Sequence, residues 1–145
     1  NAIFLMTYEW GYTYGPPMAV SPLDKVREVV EYAVTQIQPE QLILGIPNYG
    51  YDWTLPDERG ITRARSIGKV EAVEIASENG ASIEYDRISL CRWFTFRNNG
   101  MEHVVWFEDV RSITAKWELI REFGLSGARY WNLMRPFRAN WLLVG

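Results

Sequence analysis

The sequence predicts an α/β fold interrupted by an α+β insertion, on three observations. A strand–helix–strand spacing opens the chain, a helix and an antiparallel hairpin fill its middle, and a helix and strand close it. Residues 3–8 form a nearly continuous apolar run, the pattern of a strand buried on both faces. Gly11 to Pro17 reads as a loop from its Gly and Pro content. Ser21-Pro22-Leu23-Asp24 opens a helix: Ser21 is placed to cap, Pro22 suits the first helical position, and Asp24 can complete a capping box. Val26, Val30, Ala33, Val34 and Ile37 recur at helical spacing, and Pro39 ends the helix. Leu42-Ile43-Leu44-Gly45-Ile46 is a second buried strand, followed by a loop from Pro47 to Pro56. Together these make a βαβ unit and imply a parallel sheet.

The middle has a different grammar. Ser66 to Asn79 reads as a helix closed by Gly80, and Ser82–Tyr85 and Cys91–Arg97 read as strands. Asn98-Asn99-Gly100 is a strong hairpin turn, returning through Glu102–Phe107. Asp109 to Phe123 is a helix, with Val110, Ile113, Trp117, Ile120 and Phe123 on one side and Gly124 after it. Gly127 to Leu133 is the last strand. The domain division is therefore 1–54 with 108–145 as the α/β part, and 55–107 as the insertion. Three parallel strands fall short of an open doubly wound sheet or a closed barrel. The chain opens inside a strand without an initiator Met or a visible signal peptide, and reads as an excised piece of a larger fold.

Composition narrows the function. A hydrophobic fraction of 48% with 23% charged residues excludes wholesale disorder. A net charge of −3 with no basic stripe argues against a nucleic-acid partner. No apolar run is long enough to span a membrane. The lone Cys91 excludes an intramolecular disulfide and a thiolate cluster, and reads as a small buried hydrophobe. His103 has no ligand-spaced partner, so neither a metal nor another cofactor is expected. Glu108-Asp109 reads as acids complementing a helix dipole. The unusual feature is the 7 Trp, 8 Tyr and 6 Phe, a proportion suited to a ring-rich core or to a sugar-stacking cleft.

Position favours the cleft. The ends of the three parallel strands carry Met6-Thr7-Tyr8-Glu9-Trp10, then Asn48-Tyr49-Gly50-Tyr51-Asp52-Trp53, then Tyr130-Trp131-Asn132. α/β folds place their sites at these carboxyl ends. Aromatic faces stack on pyranose C–H faces, while carboxylates and amides select hydroxyls. A ring at one strand end could simply pack beneath the sheet; three such ends together point to a shared cleft. Glu9, Asp52, Asp57 and Glu58 are the nearby acids, and nothing in their spacing pairs them for glycoside chemistry.

The segments FLMTYEWGYTYGPPMAVSPL, LGIPNYGYDW, VWFEDVRSITAK and GARYWNLMRPFRANWLL resemble the C-terminal part of a family 18 glycoside hydrolase. The likeness is greatest to the spore cortex-lytic N-acetylglucosaminidases. The resemblance implies the portion of a (β/α)₈ TIM barrel containing strands six to eight, with an α+β insertion between strands seven and eight. It implies Met6, Tyr8, Glu9 and Trp131 as substrate-binding residues, to which the strand-end position adds Tyr49 and Asp52. Tyr8 would hold the N-acetyl carbonyl, and Trp131 would floor the sugar at the cleaved bond. Glu9 stands where the family more often has Asp or Asn.

The implied mechanism is substrate-assisted, with a general acid from a D-x-x-D-x-D-x-E motif that these 145 residues do not contain. No catalytic residue is therefore assigned in this chain, and on its own it is expected to be inactive. The implied partner is a polysaccharide containing N-acetylglucosamine, in the cell wall or spore cortex, outside the cell. A non-catalytic wall-binding module derived from the same fold is the alternative. Truncation of a barrel would leave two open sheet edges, so self-association is expected.

Overall fold

A computed structural model describes residues 1–135 and 137–143. Its parallel sheet holds β1 (Ile3–Leu5), β2 (Leu42–Pro47) and β8 (Gly127–Trp131), in the order β1-β2-β8. Register pairs Leu5 with Leu44 and Pro47 with Trp131, so the ends carrying the expected site lie along one edge. β2 is central, and Leu42, Leu44 and Ile46 point from it into a core with Val26 and Val30 of α1 (Leu23–Gln36). Ile113, Leu119 and Ile120 of α3 (Val110–Phe123) complete that layer. Side-chain alternation along β2 sends Gly45 to the other face. A Cβ there would lie 2.5 Å from the Leu5 carbonyl oxygen and 2.9 Å from the Tyr8 ring. Glycine thus lets Tyr8 lie against the sheet.

The second sheet is antiparallel, in the order β4-β3-β7-β6-β5. It contains β3 (Tyr49–Leu55), β4 (Arg65–Gly68), β5 (Glu84–Tyr85), β6 (Arg92–Asn98) and β7 (Met101–Phe107). α2 (Lys69–Glu78) covers one face through Ala72 and Ala76, against Ile67, Phe94 and Val105. Asn99 and Gly100 take the left-handed conformations of the expected hairpin turn, with φ of 51° and 74°.

Three sequence readings need correction. The expected loop from Pro47 to Pro56 is largely strand β3, so the second sheet begins at Tyr49 rather than at 55. Its two glycine- and proline-flanked ends disguised a strand whose Tyr49, Tyr51 and Trp53 alternate onto one buried face. The expected helix from Ser66 starts only at Lys69, because Ser66–Gly68 pair with Tyr49–Tyr51. Ser21 does not cap α1: its hydroxyl donates to the Thr7 carbonyl at 2.6 Å, and Pro22 holds the cap position.

A buried ion pair ties the second sheet to α3. Lys116 Nζ lies 3.2 and 3.1 Å from the two carboxylate oxygens of Glu108, and both residues are inaccessible to solvent. Ser112 Oγ also donates to Glu108, and the Cys91 thiol donates to it at 3.4 Å. Burial, the largest influence, pulls the Lys116 ammonium down, but the charge and hydrogen bond of Glu108, with Cys91 and Tyr85, together outweigh it and leave the pKa raised. Burial, and then Glu108, push the Cys91 thiol well up, which keeps it protonated and unreactive. The adjacent acids therefore divide their work. Asp109 caps α3 in a reciprocal box with Ser112, whereas Glu108 is an internal charge rather than a surface complement to the dipole. No helix among the described residues is long and apolar enough to cross a membrane.

Candidate functional site

At the carboxyl edge of the parallel sheet lies an open depression of about 200 Å³. Glu9, Tyr49, Tyr51, Ser66, Trp131, Asn132 and Arg135 line it. Glu9 sits just past β1 with φ of 69°, a left-handed conformation that costs a non-glycine residue about 1–3 kcal/mol. Two phenols hold its carboxylate: Tyr49 donates a short hydrogen bond, and Tyr51 donates at 3.0 Å. The strained backbone and the double clamp together fix one carboxylate at the wall.

The clamp also acts on the tyrosines. Burial, and then the hydrogen bond and charge of Glu9, push the Tyr49 hydroxyl far above its ordinary value. Burial chiefly, with Glu9 adding, pushes Tyr51 up to about 12. Tyr8 is raised too, by burial and then by Glu9, which places its phenol in the same field. A phenol whose pKa is raised on folding contributes stability that is whole below pH about 10 and is lost as pH climbs. Glu9→Gln should bring the Tyr51 titration down from about 12 toward 10.0, followed by phenolate absorbance in the intact protein. An unchanged titration would mean that burial alone sets it.

Trp131 ends β8 and is 53% exposed, so its ring is available at the depression rather than packed beneath the sheet. The Trp131–Asn132 peptide is cis. Asn48 holds this turn from three directions. Its backbone N–H donates to the Trp131 carbonyl at 3.0 Å, its Oδ1 accepts from the Asn132 N–H at 2.9 Å, and its Nδ2 donates to the Asn132 carbonyl at 2.6 Å.

Of the six expected site residues, Glu9, Tyr49 and Trp131 line the depression. Tyr8 lies beside them, half-buried against Gly45. Met6 is 70% exposed just beyond β1. Asp52 is not brought there. Alternation along β3 puts it on the opposite face from Tyr49 and Tyr51, where it is buried with His103 Nδ1 at 2.9 Å and Arg65 at 3.9 Å. Asp52 is a support for the second sheet, and the expectation of a common side fails for it. Asn48 and Tyr51 belong to an expected strand-end segment but not to the six, and Arg135 was missed. Period-two alternation from Tyr49 would have found Tyr51; Asn48 and Arg135 act through contacts distant in sequence, which spacing does not reveal.

The model of the glycosyl hydrolases family 18 matches residues 1–135. The chain belongs to glycosyl hydrolase family 18. The cortical fragment-lytic enzyme of Bacillus subtilis is 48% identical over 143 residues, which are 98% of this chain and 33% of that enzyme. Its Bacillus anthracis counterpart is 42% identical over the same share of each chain. Among solved structures, the Bacillus cereus spore cortex-lytic enzyme SleL superposes with a TM-score of 0.96 at 41% identity, covering 99% of this chain and 33% of SleL. A Chromobacterium violaceum chitinase gives 0.90 at 26% identity, covering 99% and 44%. The chain thus spans about a third of the length of the cortex-lytic relatives it matches. Its α/β architecture is that of these family 18 proteins, and its parallel strands form a portion of their barrel.

Proposed function

We propose that this family 18 chain is the sugar-contacting part of a glycoside hydrolase that cleaves N-acetylglucosamine-containing glycan of the spore cortex. The exposed Trp131 ring and the clamped Glu9 carboxylate, lining one depression, carry the reading. A flat ring supplies stacking, and a fixed acceptor beside three phenols supplies selection of N–H and O–H groups. Met6 and Tyr8 extend the same edge, and Tyr8 is assigned the N-acetyl carbonyl. β1, β2 and β8 then correspond to barrel strands six, seven and eight, with the antiparallel sheet inserted between the last two.

In this reading the substrate's acetamido oxygen attacks the anomeric carbon and the leaving oxygen takes a proton from a glutamic acid, so configuration is retained. Glu9 does not fit the proton donor's role, because its carboxylate is engaged as the acceptor of the Tyr49 and Tyr51 hydroxyls. The donor is assigned to another segment of the intact protein. Its task contributes roughly 10²–10⁴-fold, so these 145 residues expressed alone should release no sugar from cortex glycan, whereas the intact protein should. Turnover by the isolated segment would overturn this division of labour.

The same reading assigns β1 and β8 to joints with neighbouring barrel strands. Expressed alone, the segment should self-associate through those edges, and light scattering showing a monodisperse monomer would contradict this.

A further inference from the structure

We propose that Arg135 makes the depression selective for glycans carrying a carboxylate beside the N-acetylated sugar; this rests on the sugar-site reading above. Arg135 is fixed at both ends. Its backbone carbonyl accepts from Asn48 Nδ2 at 3.3 Å, and its Nη2 donates to the Ser66 carbonyl at 3.1 Å and the Ser66 hydroxyl at 3.0 Å. Both contacts to Ser66 use a single nitrogen, so Nε and Nη1 retain donors for a carboxylate.

The guanidinium has no direct ion-pair partner. Arg27, Arg65 and Arg92 each pair with a carboxylate, whereas no carboxylate among the described residues lies within 4.0 Å of Arg135. Glu9 shares the depression, where it accepts from Tyr49 and Tyr51 and makes no direct ion pair with Arg135. A held, unpaired guanidinium in a depression of about one sugar ring suits an anionic substituent on that sugar or the next. A sugar acid's ether carboxylate and the end of a short attached peptide offer the same chemistry, and the test separates them.

The test measures affinity of the intact protein, by calorimetry with an inactivated general acid, for three probes. They are the N-acetylglucosamine tetramer, a tetrasaccharide alternating N-acetylglucosamine with N-acetylmuramic acid, and that tetrasaccharide with each lactyl group capped by L-alanine. The expected result is a preference of at least about tenfold for one acidic probe over the neutral one, the scale of a charged hydrogen bond. The preferred acid identifies the source. R135Q should collapse the ratio toward one, and R135K should keep part of it. Arg27→Gln, which removes an arginine from the exposed α1–α3 pair with Glu122, should retain the preference, which guards against a general effect of lost charge or folding. Equal wild-type affinities for neutral and acidic probes, or an unchanged ratio in R135Q, would overturn the selectivity while leaving the sugar site intact. Failure of all three probes to bind would overturn both.

Discussion

Replacing Lys116 by Met should destabilise the protein by about 3–5 kcal/mol, measured by urea unfolding of the intact chain, because it strands the Glu108 carboxylate in a dry interior. Ser112 and Cys91 would remain as donors, but neither neutralises the charge. The double replacement Glu108→Leu with Lys116→Met should recover most of the loss, since apolar groups of similar volume substitute for a buried pair at little cost. A small effect of the single replacement would mean that water reaches the pair. The pH dependence has a definite sign. Lys116 is raised above its ordinary 10.5, so the lysine's contribution is whole below that value and is lost as pH rises through the raised one.

Trp131→Ala should cut glycan turnover by at least about a hundredfold, the loss expected when a stacking surface that orients the reacting sugar is removed. Its effect on unfolding should stay within about 1 kcal/mol, because half of the side chain is already in solvent. Parallel measurement of kcat/KM and of the urea midpoint separates the two. Comparable losses in both would make Trp131 a packing residue.

The elements that alternate or repeat cleanly were legible in the sequence. Val26, Val30 and Ala33 mark the buried stripe of α1, and Asn99-Gly100 marks the hairpin, because helical period and turn chemistry are local properties. β3 was obscured: Gly50 and the flanking prolines signal a loop, while the strand is made by pairing with β4 and β7, which lie far along the chain. That single misreading chose Asp52 over Tyr51, although Asp52 lies on the other face of the strand. Glu108 was also misread, since an acid at a helix start suits the dipole whether or not it is buried. Only its meeting with Lys116, eight residues on, reveals the internal pair. At the site, sequence position found Glu9, Tyr49 and Trp131, whereas the Asn48 and Arg135 contacts across 84 and 69 residues became visible only in the fold.

The central claim is that Trp131 and the Glu9 clamp form one sugar site. A crystal structure of the intact protein with its general acid inactivated, soaked with the N-acetylglucosamine tetramer, addresses it directly. The predicted result is a pyranose ring stacked on the Trp131 indole, with its acetamido group within hydrogen-bond distance of the Tyr8 or Glu9 side chain. A sugar bound elsewhere, with the depression above Trp131 left to solvent, would contradict the account.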